Sequence, residues 1–258
     1  MKKEIMFFVL MILSALNIFS CRNEKNHHHN SNENAYHTIF NGENLEGWEG
    51  DSIYWRVENG NLVGEVTPET ILKRNSFIIY KKEQPENFEL KLEYRVSALG
   101  NSGINYRSEI IEGMPFALGG YQCDIDGRNR FTGQNYEERK RTTLAYMGET
   151  VTIPQMPDSI PTSNIRDNVK KNCWQTRLVM DTLGTKAQLK SNIKSNDWNQ
   201  VHIKVHENNM QHYVNGVLMS EVTDLDTINR TIKGYIGVQV HVGPPMKIEY
   251  KDIKLKHL

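Results

Sequence analysis

Phe88–Val96 reads FELKLEYRV, and its side chains alternate without a break. Phe88, Leu90, Leu92, Tyr94 and Val96 fall on one face, and Glu89, Lys91, Glu93 and Arg95 on the other. A period of two is the pleat of a β-strand, and the charged side marks a sheet with one wet face. Residues 198–205 (WNQVHIKV) repeat the pattern, with Val201, Ile203 and Val205 inward. Residues 235–242 (YIGVQVHV) put Ile236, Val238, Val240 and Val242 on one face, and Gln239 and His241 beside Tyr235 and Gly237 on the other. Residues 77–80 and 178–180 add two short strands. Asn59-Gly60 and Asn215-Gly216 each sit between strand-like runs, where two successive residues accept the positive φ that a tight hairpin needs. In residues 246–255 the inward set shifts from Met246, Ile248 and Tyr250 to Ile253 and Leu255, which predicts a β-bulge near Lys251-Asp252. No stretch has the period of a long amphipathic helix. Many short strands predict an all-β sandwich or barrel. Strands near both ends of the domain favour a jelly roll, in which the first and last strands pair.

The chain does not fold as one piece. Residues 1–20, MKKEIMFFVLMILSALNIFS, carry two lysines, an apolar run and then small or polar residues. The run is short and early, so it reads as a secretory signal peptide. Cys21 follows directly, and the junction resembles a bacterial lipobox, in which the cysteine becomes the lipidated first residue. The alternative is ordinary cleavage nearby. Residues 21–35 read as a flexible tether without apolar side chains to bury before Ala35. Within it, His27, His28 and His29 read as polar linker, because nothing nearby completes a metal site. The expected location is exported and lipid-anchored to a bacterial membrane, touching it through the lipid alone. Residues 36–258 remain, about 220 residues and enough for one domain. Formal net charge is zero, which removes the electrostatic case for nucleic acid. A disulfide between Cys123 and Cys173 is open, but Cys123 lies on the apolar side of its strand, which favours a buried free thiol. Residues 127–173 are charged, aperiodic and hold Pro154, Pro157 and Pro161, so they read largely as loop.

The chemistry concentrates in residues 100–141. In GINYR, alternation puts Asn105 and Arg107 on one face and Ile104 and Tyr106 on the other. In YQCDID, Gln122, Asp124 and Asp126 oppose Tyr121, Cys123 and Ile125. Such a face is either hydrogen-bonding equipment or a solvated surface carrying salt bridges.

Seven segments then come in order: FNGENLEGW (40–48), NSGINYR (101–107), GYQCDID (120–126), Trp198-Asn199, VNG (214–216), GVQVH (237–241) and KDIKLKHL (251–258). Together they resemble the 3-keto-disaccharide hydrolase domain family, over residues 39–258. The resemblance implies a concanavalin-like jelly-roll β-sandwich of two antiparallel sheets, common in exported bacterial lipoproteins. It also implies cleavage of disaccharides or glycosides already oxidised to a ketone at C3. That ketone acidifies the C2 proton. A base removes it, the enediolate is stabilised, the C1 oxygen leaves, and water adds to the unsaturated product. The chemistry needs a base, an electrophilic stabiliser and an acid.

Several side chains qualify. Asp124 and Asp126, about 7 Å apart along one strand, are base and acid, or part of a divalent-cation site with Gln122, or a structural pair bonded to loop amides. Oxygen ligands alone suit calcium or magnesium; adding His241 favours a transition metal. His241 is a base by virtue of its reference pKa near neutrality, or a hydrogen-bonded structural residue. Arg107 clamps a hydroxyl or oxyanion, or neutralises Asp124. Glu138 is the loop carboxylate placed with the catalytic set. Asn105, Gln122, Gln239, Tyr121, Glu137 and Arg141 are the expected substrate contacts, and Tyr136, Tyr146 and Trp174 are further stacking candidates. The sequence has no Gly-rich dinucleotide fingerprint, so no nicotinamide cofactor is expected, and a separate sugar 3-dehydrogenase supplies the ketone. Two other classes stay open: a noncatalytic carbohydrate-binding lipoprotein, and a conventional glycosidase with two flanking carboxylates.

Overall fold

The computed structural model describes residues 35–159 and 176–258. The segment expected to be a signal peptide, Cys21, the His27–His29 run, Cys173 and Trp174 lie outside the described residues. In chain order the strands are β1 His37–Thr38, β2 Trp48–Glu49, β3 Trp55–Glu58, β4 Asn61–Val66, β5 Ser76–Tyr80 and β6 Phe88–Val96. Then come β7 Asn101–Ile110, β8 Leu118–Asp126, β9 Asn135–Glu138, β10 Thr142–Ala145, β11 Glu149–Ile153 and β12 Leu178–Thr182. After one short helix, α1 Lys186–Lys190, follow β13 Asn199–His206, β14 Asn209–Val214, β15 Val217–Asp224, β16 Tyr235–Val240 and β17 Met246–His257.

They form a sandwich. One sheet runs β12-β11-β15-β14-β13-β6-β17-β4-β3, with β1 added on β17; the other runs β10-β9-β8-β7-β16-β5-β2. The alternation of β6 holds along its whole length. Phe88, Leu90, Leu92, Tyr94 and Val96 are buried, and the four charged residues between them are partly exposed. Each such apolar side chain contributes about 1.5–3 kcal/mol on burial, against the entropy of ordering the chain. The outer charges pair across to β17, as in Arg95 Nε to Glu249 at 2.7 Å and Lys251 Nζ to Glu93 at 3.3 Å. The first and last strands meet, His37 opposite Leu255. Both hairpin turns take the expected backbone: φ is 52° and 78° at Asn59-Gly60, and 49° and 81° at Asn215-Gly216. The register of β17 slips between Lys251 and Lys254, with Asp252 at φ 51°, which is the anticipated bulge. Cys123 is a buried free thiol.

Two features differ from the sequence reading. The segment after Gly127 is largely turn and loop over its described part, as read, but it also contributes the short strands β9, β10 and β11. These strands are short, and the inward positions of β9 are polar, so they carry no apolar period. The sheets are also not wholly antiparallel, because β11 runs parallel to β15.

Candidate active site

The site lies on the outer face of the seven-stranded sheet, away from the apolar layer. Its middle strands are β8, β7 and β16. Register brings polar side chains of one parity together: Asn105 stands opposite Gln122, Gln122 opposite Tyr136, and Gly103 opposite Asp124. Gly103 matters for space. A Cβ there would meet the Gln122 side-chain amide, so only glycine lets that amide cross β7 toward β16. Gln122 Nε2 then donates to Gln239 Oε1 at 3.4 Å. Gln239 Nε2 has no protein partner although it is buried, and neither has Asn105 Oδ1. An orphan donor at the floor of a cleft is placed for a ligand oxygen or water.

The cleft above has a volume of about 230 Å³ and is lined by Asp124, Glu138, His241, Gln122, Gln239 and Tyr136, with Asn75, Asn101 and Phe131. Asp124 is half-buried, and Gln134 Nε2 donates to its Oδ2 at 2.5 Å. Burial pushes its carboxyl well above the usual range; the Glu138 and Asp126 charges push the same way, and the Gln134 bond only partly offsets them. His241 sits one residue past β16, with Nδ1 2.6 Å from the Val242 carbonyl oxygen. A carbonyl only accepts, so Nδ1 donates here, and Nε2 is the ring nitrogen that can accept a proton. The Val242 N–H donates to Asn75 Oδ1 at 2.9 Å, and Asn75 Nδ2 reaches Glu138 Oε1 at 3.5 Å. Asn75 therefore ties the His241 turn to the Glu138 carboxylate. A second compartment of about 220 Å³ shares His241 and Asn101 with the first and is walled by Arg128, Arg130 and Pro244. The two hollows thus adjoin, with His241 and Asn101 on the wall they share.

Of the residues chosen from sequence, Asp124, His241, Glu138, Gln122 and Gln239 come together here, as does Tyr136. Five others do not. Arg107 leaves the face because its φ is +44° and the β7–β8 register slips between Tyr106 and Glu109. Its guanidinium donates to the Glu86 and Glu207 carbonyl oxygens at 2.6–2.9 Å, joining two loops. Asp126 accepts from the Arg128 N–H at 3.2 Å and from Arg130 N–H and Nε at 2.9 and 3.0 Å. It therefore closes a turn rather than sharing a cation with Asp124. Among the described residues, three His, Cys, Asp or Glu ligand atoms gather within 4.8 Å in one place, and it is not this cleft. Of the ligands expected for a cation there, Gln122, Asp124 and His241 line the cleft and Asp126 does not. Glu137, Arg141 and Tyr121 lie beneath the sheet. Glu137 points inward while Tyr136 and Glu138 point outward, and Arg141 bridges Glu137 (2.6 Å) and Asp224 (2.6 Å) with no solvent exposure. The Tyr121 hydroxyl donates to Asp224 at 2.6 Å. Asn105 is wholly buried beside Gln122 and does not line the cleft. Tyr146 is exposed and stacks under Arg177.

Sequence reasoning missed Asn75, Asn101, Phe131, Arg128 and Arg130. Asn101 was within reach, since it stands two residues before Gly103 on the same face. The rest come from turns, where no period assigns direction.

A search of curated proteins finds no match to this chain. Two crystal structures of provisionally assigned glycosyl hydrolases from Parabacteroides distasonis ATCC 8503 are similar in fold. One has TM-score 0.52 at 18% identity, covering 87% of this chain and 100% of its own. The other has TM-score 0.51 at 18% identity, covering 88% and 95%. A Bacillus subtilis protein of unknown function with a galectin-like fold has TM-score 0.52 at 11% identity, covering 83% and 90%. At these identities the likeness concerns the sandwich alone. The sequence itself is more specific, for residues 35–256 match the family described as the 3-keto-alpha-glucoside-1,2-lyase-like domain. The segments that frame the cleft fall inside that match, and the chain belongs to this family.

Proposed function

We propose that the protein cleaves 3-keto-glycosides by elimination across C1–C2, followed by hydration. The observation that carries this reading is the pairing, in one cleft, of a carboxyl whose pKa burial and neighbouring charges raise with an imidazole whose Nδ1 is tied to a carbonyl, leaving Nε2 as its base. Family membership supports the substrate class.

The C3 ketone makes the C2 proton acidic. His241 Nε2 removes it, and the electron pair moves through the C2–C3 bond onto the ketone oxygen as an enediolate. The Gln239 amide, which lacks a protein partner, donates to that oxyanion, with Gln122 fixing its orientation. When the pair returns, the C1–O bond breaks, and the Asp124 carboxyl gives its proton to the departing oxygen. Water then adds across C1=C2, and the net reaction is hydrolysis. Asn75 and Glu138 hold the His241 turn in place. The two compartments take the keto ring and the leaving group respectively. The ketone comes from a separate sugar 3-dehydrogenase. No step is routed through a metal, since the Asp126 carboxylate is taken up by the Arg128 and Arg130 donors of its own turn.

The test compares a 3-keto-glucoside with its unoxidised parent, with and without chelator. Cleavage of the keto compound alone is the expected result. Cleavage of both would make the protein an ordinary glycosidase, and binding without cleavage would make it a recognition module. Variants separate the roles. His241→Ala should abolish both cleavage and deuterium exchange at C2 in heavy water. Asp124→Asn should lose about 10²- to 10⁴-fold on a sugar leaving group, the usual range for a proton-transfer residue. It should lose little on a 4-nitrophenyl leaving group, which needs no proton. Equal losses on both leaving groups would remove Asp124 from the acid role.

A further inference from the structure

Outside the cleft, three side chains from distant parts of the sequence converge on one point. His37 is in β1, His257 is the last residue of β17, and Glu83 follows β5. His37 Nε2 lies 2.9 Å from Glu83 Oε1, and His257 Nε2 lies 2.7 Å from Glu83 Oε2. The two imidazoles are stacked, 5.8 Å apart and 8° from parallel. One ligand atom from each of the three residues lies within 4.8 Å of the others, and no other such trio occurs among the described residues. The Tyr80 hydroxyl donates to Glu83 Oε1 at 3.2 Å, which holds the carboxylate from behind.

We propose that His37, Glu83 and His257 bind a divalent first-row transition-metal ion, zinc foremost. Two imidazole nitrogens and one carboxylate oxygen form a borderline ligand set that suits zinc, nickel or copper and suits calcium or magnesium poorly. In the metal-free arrangement each Nε2 carries the proton it donates to Glu83. To ligate through Nε2 each ring moves that proton to Nδ1, and an imidazolium has no nitrogen to give, so binding weakens as pH falls. A tetrahedral centre with bonds of about 2.0 Å sets its ligand atoms about 3.3 Å apart. Both rings are at least two-fifths exposed, so rotation about their side-chain bonds closes the gap without moving a strand. The fourth position remains for water. Tyr80 acts as the outer partner that orients a ligating carboxylate.

The consequence is mechanical. β1 has two residues and pairs only with β17. The ligands stand 46 and 174 residues apart from Glu83, so the unfolded chain cannot assemble the set. Binding therefore favours the folded state and pins the point where the chain enters the domain to its far end. This is independent of the cleft chemistry.

The experiment uses the full chain with His27, His28 and His29 replaced by alanine, so that the upstream histidines do not compete. Zinc is titrated by calorimetry, and thermal unfolding is followed with and without it. One equivalent should bind with micromolar affinity and raise the midpoint by a few degrees. His37→Ala, Glu83→Gln and His257→Ala should each weaken binding at least tenfold, while Asp124→Asn and His241→Ala leave it unchanged. All three ligands are at the surface, so the metal-free midpoints serve as the folding control. No zinc-dependent shift in the parent, or an undiminished shift in His257→Ala, would overturn the proposal.

Discussion

A methyl group at Gly103 tests the floor of the cleft with the least disturbance. Its nearest obstacle is the far end of the Gln122 side chain, not backbone, so Gln122 swings aside and the strand stays. Gly103→Ala should therefore keep stability within about 1 kcal/mol, as strand glycines replaced without backbone strain do. It should lower kcat/KM by about 10²-fold, the scale of losing one preorganised oxyanion donor. In a double-mutant cycle, Gly103→Ala should cost nothing further once Gln122 is alanine, whereas additive losses would show that Gly103 acts otherwise. At this scale the sequence was informative wherever a strand is regular. Gln122, Asp124 and Gln239 follow from a two-residue period, and His241 lies only one residue past β16. Arg107 defeated the same rule because a positive φ turns its side chain out of register. Asn75 and Phe131 approach from turns and had no period to betray them.

At the scale of elements, the β9–β10 hairpin is fastened to the opposite sheet by charge. Arg141 is wholly buried and bridges Glu137, Asp224 and, at 3.5 Å, Asp226. Three carboxylates share one guanidinium, and backbone N–H groups of Asp226 and Ile228 with the Asn229 amide supply further donors. Burial works against the arginine's charge, yet these carboxylates hold it protonated well above its ordinary range. Removing the cation leaves uncompensated buried anions. Arg141→Met should destabilise the fold by about 3–5 kcal/mol in urea unfolding, the cost typical of a broken buried pair. Adding Glu137→Gln should recover part of that loss. If Arg141→Met costs under 1 kcal/mol, water reaches the network and the hairpin is held by other contacts. This device explains why β6 was legible and β9 was not. β6 alternates apolar with charged, the pattern of burial against water. β9 alternates polar with polar, Asn135 and Glu137 inward against Tyr136 and Glu138 outward, and only the partner strands decide which side is dry.

Across the whole molecule, the layer between the sheets contains a histidine that must stay neutral. His212 on β14 is fully buried, and its Nε2 is 2.8 Å from the Tyr106 hydroxyl on β7 of the other sheet. Its Nδ1 faces the Gln134 carbonyl oxygen at 3.3 Å, so the proton sits on Nδ1 and Tyr106 donates to Nε2. Burial lowers its pKa from 6.5 to about 4, only partly opposed by the Gln134 and Gly133 carbonyls. Between those values the unfolded chain binds the proton and the folded chain does not, so stability rises with pH through this window and is lost as pH falls. At roughly 1.4 kcal/mol per unit, the loss approaches about 3 kcal/mol at pH 4. Asp124 acts in the opposite sense, because its raised folded-state pKa means that acid favours the folded form above pH 3.8. Comparison is therefore best made in an Asp124→Asn background. There, urea unfolding at pH 7.5, 5.5 and 4.5 should show stability falling stepwise with His212 present. With His212→Gln the protein should start less stable at pH 7.5, and the gap between the two should close as the pH drops. Parallel curves would mean that His212 takes up its proton in the folded state as easily as in the unfolded chain, and the two sheets would then owe none of their acid sensitivity to the Tyr106–His212 contact.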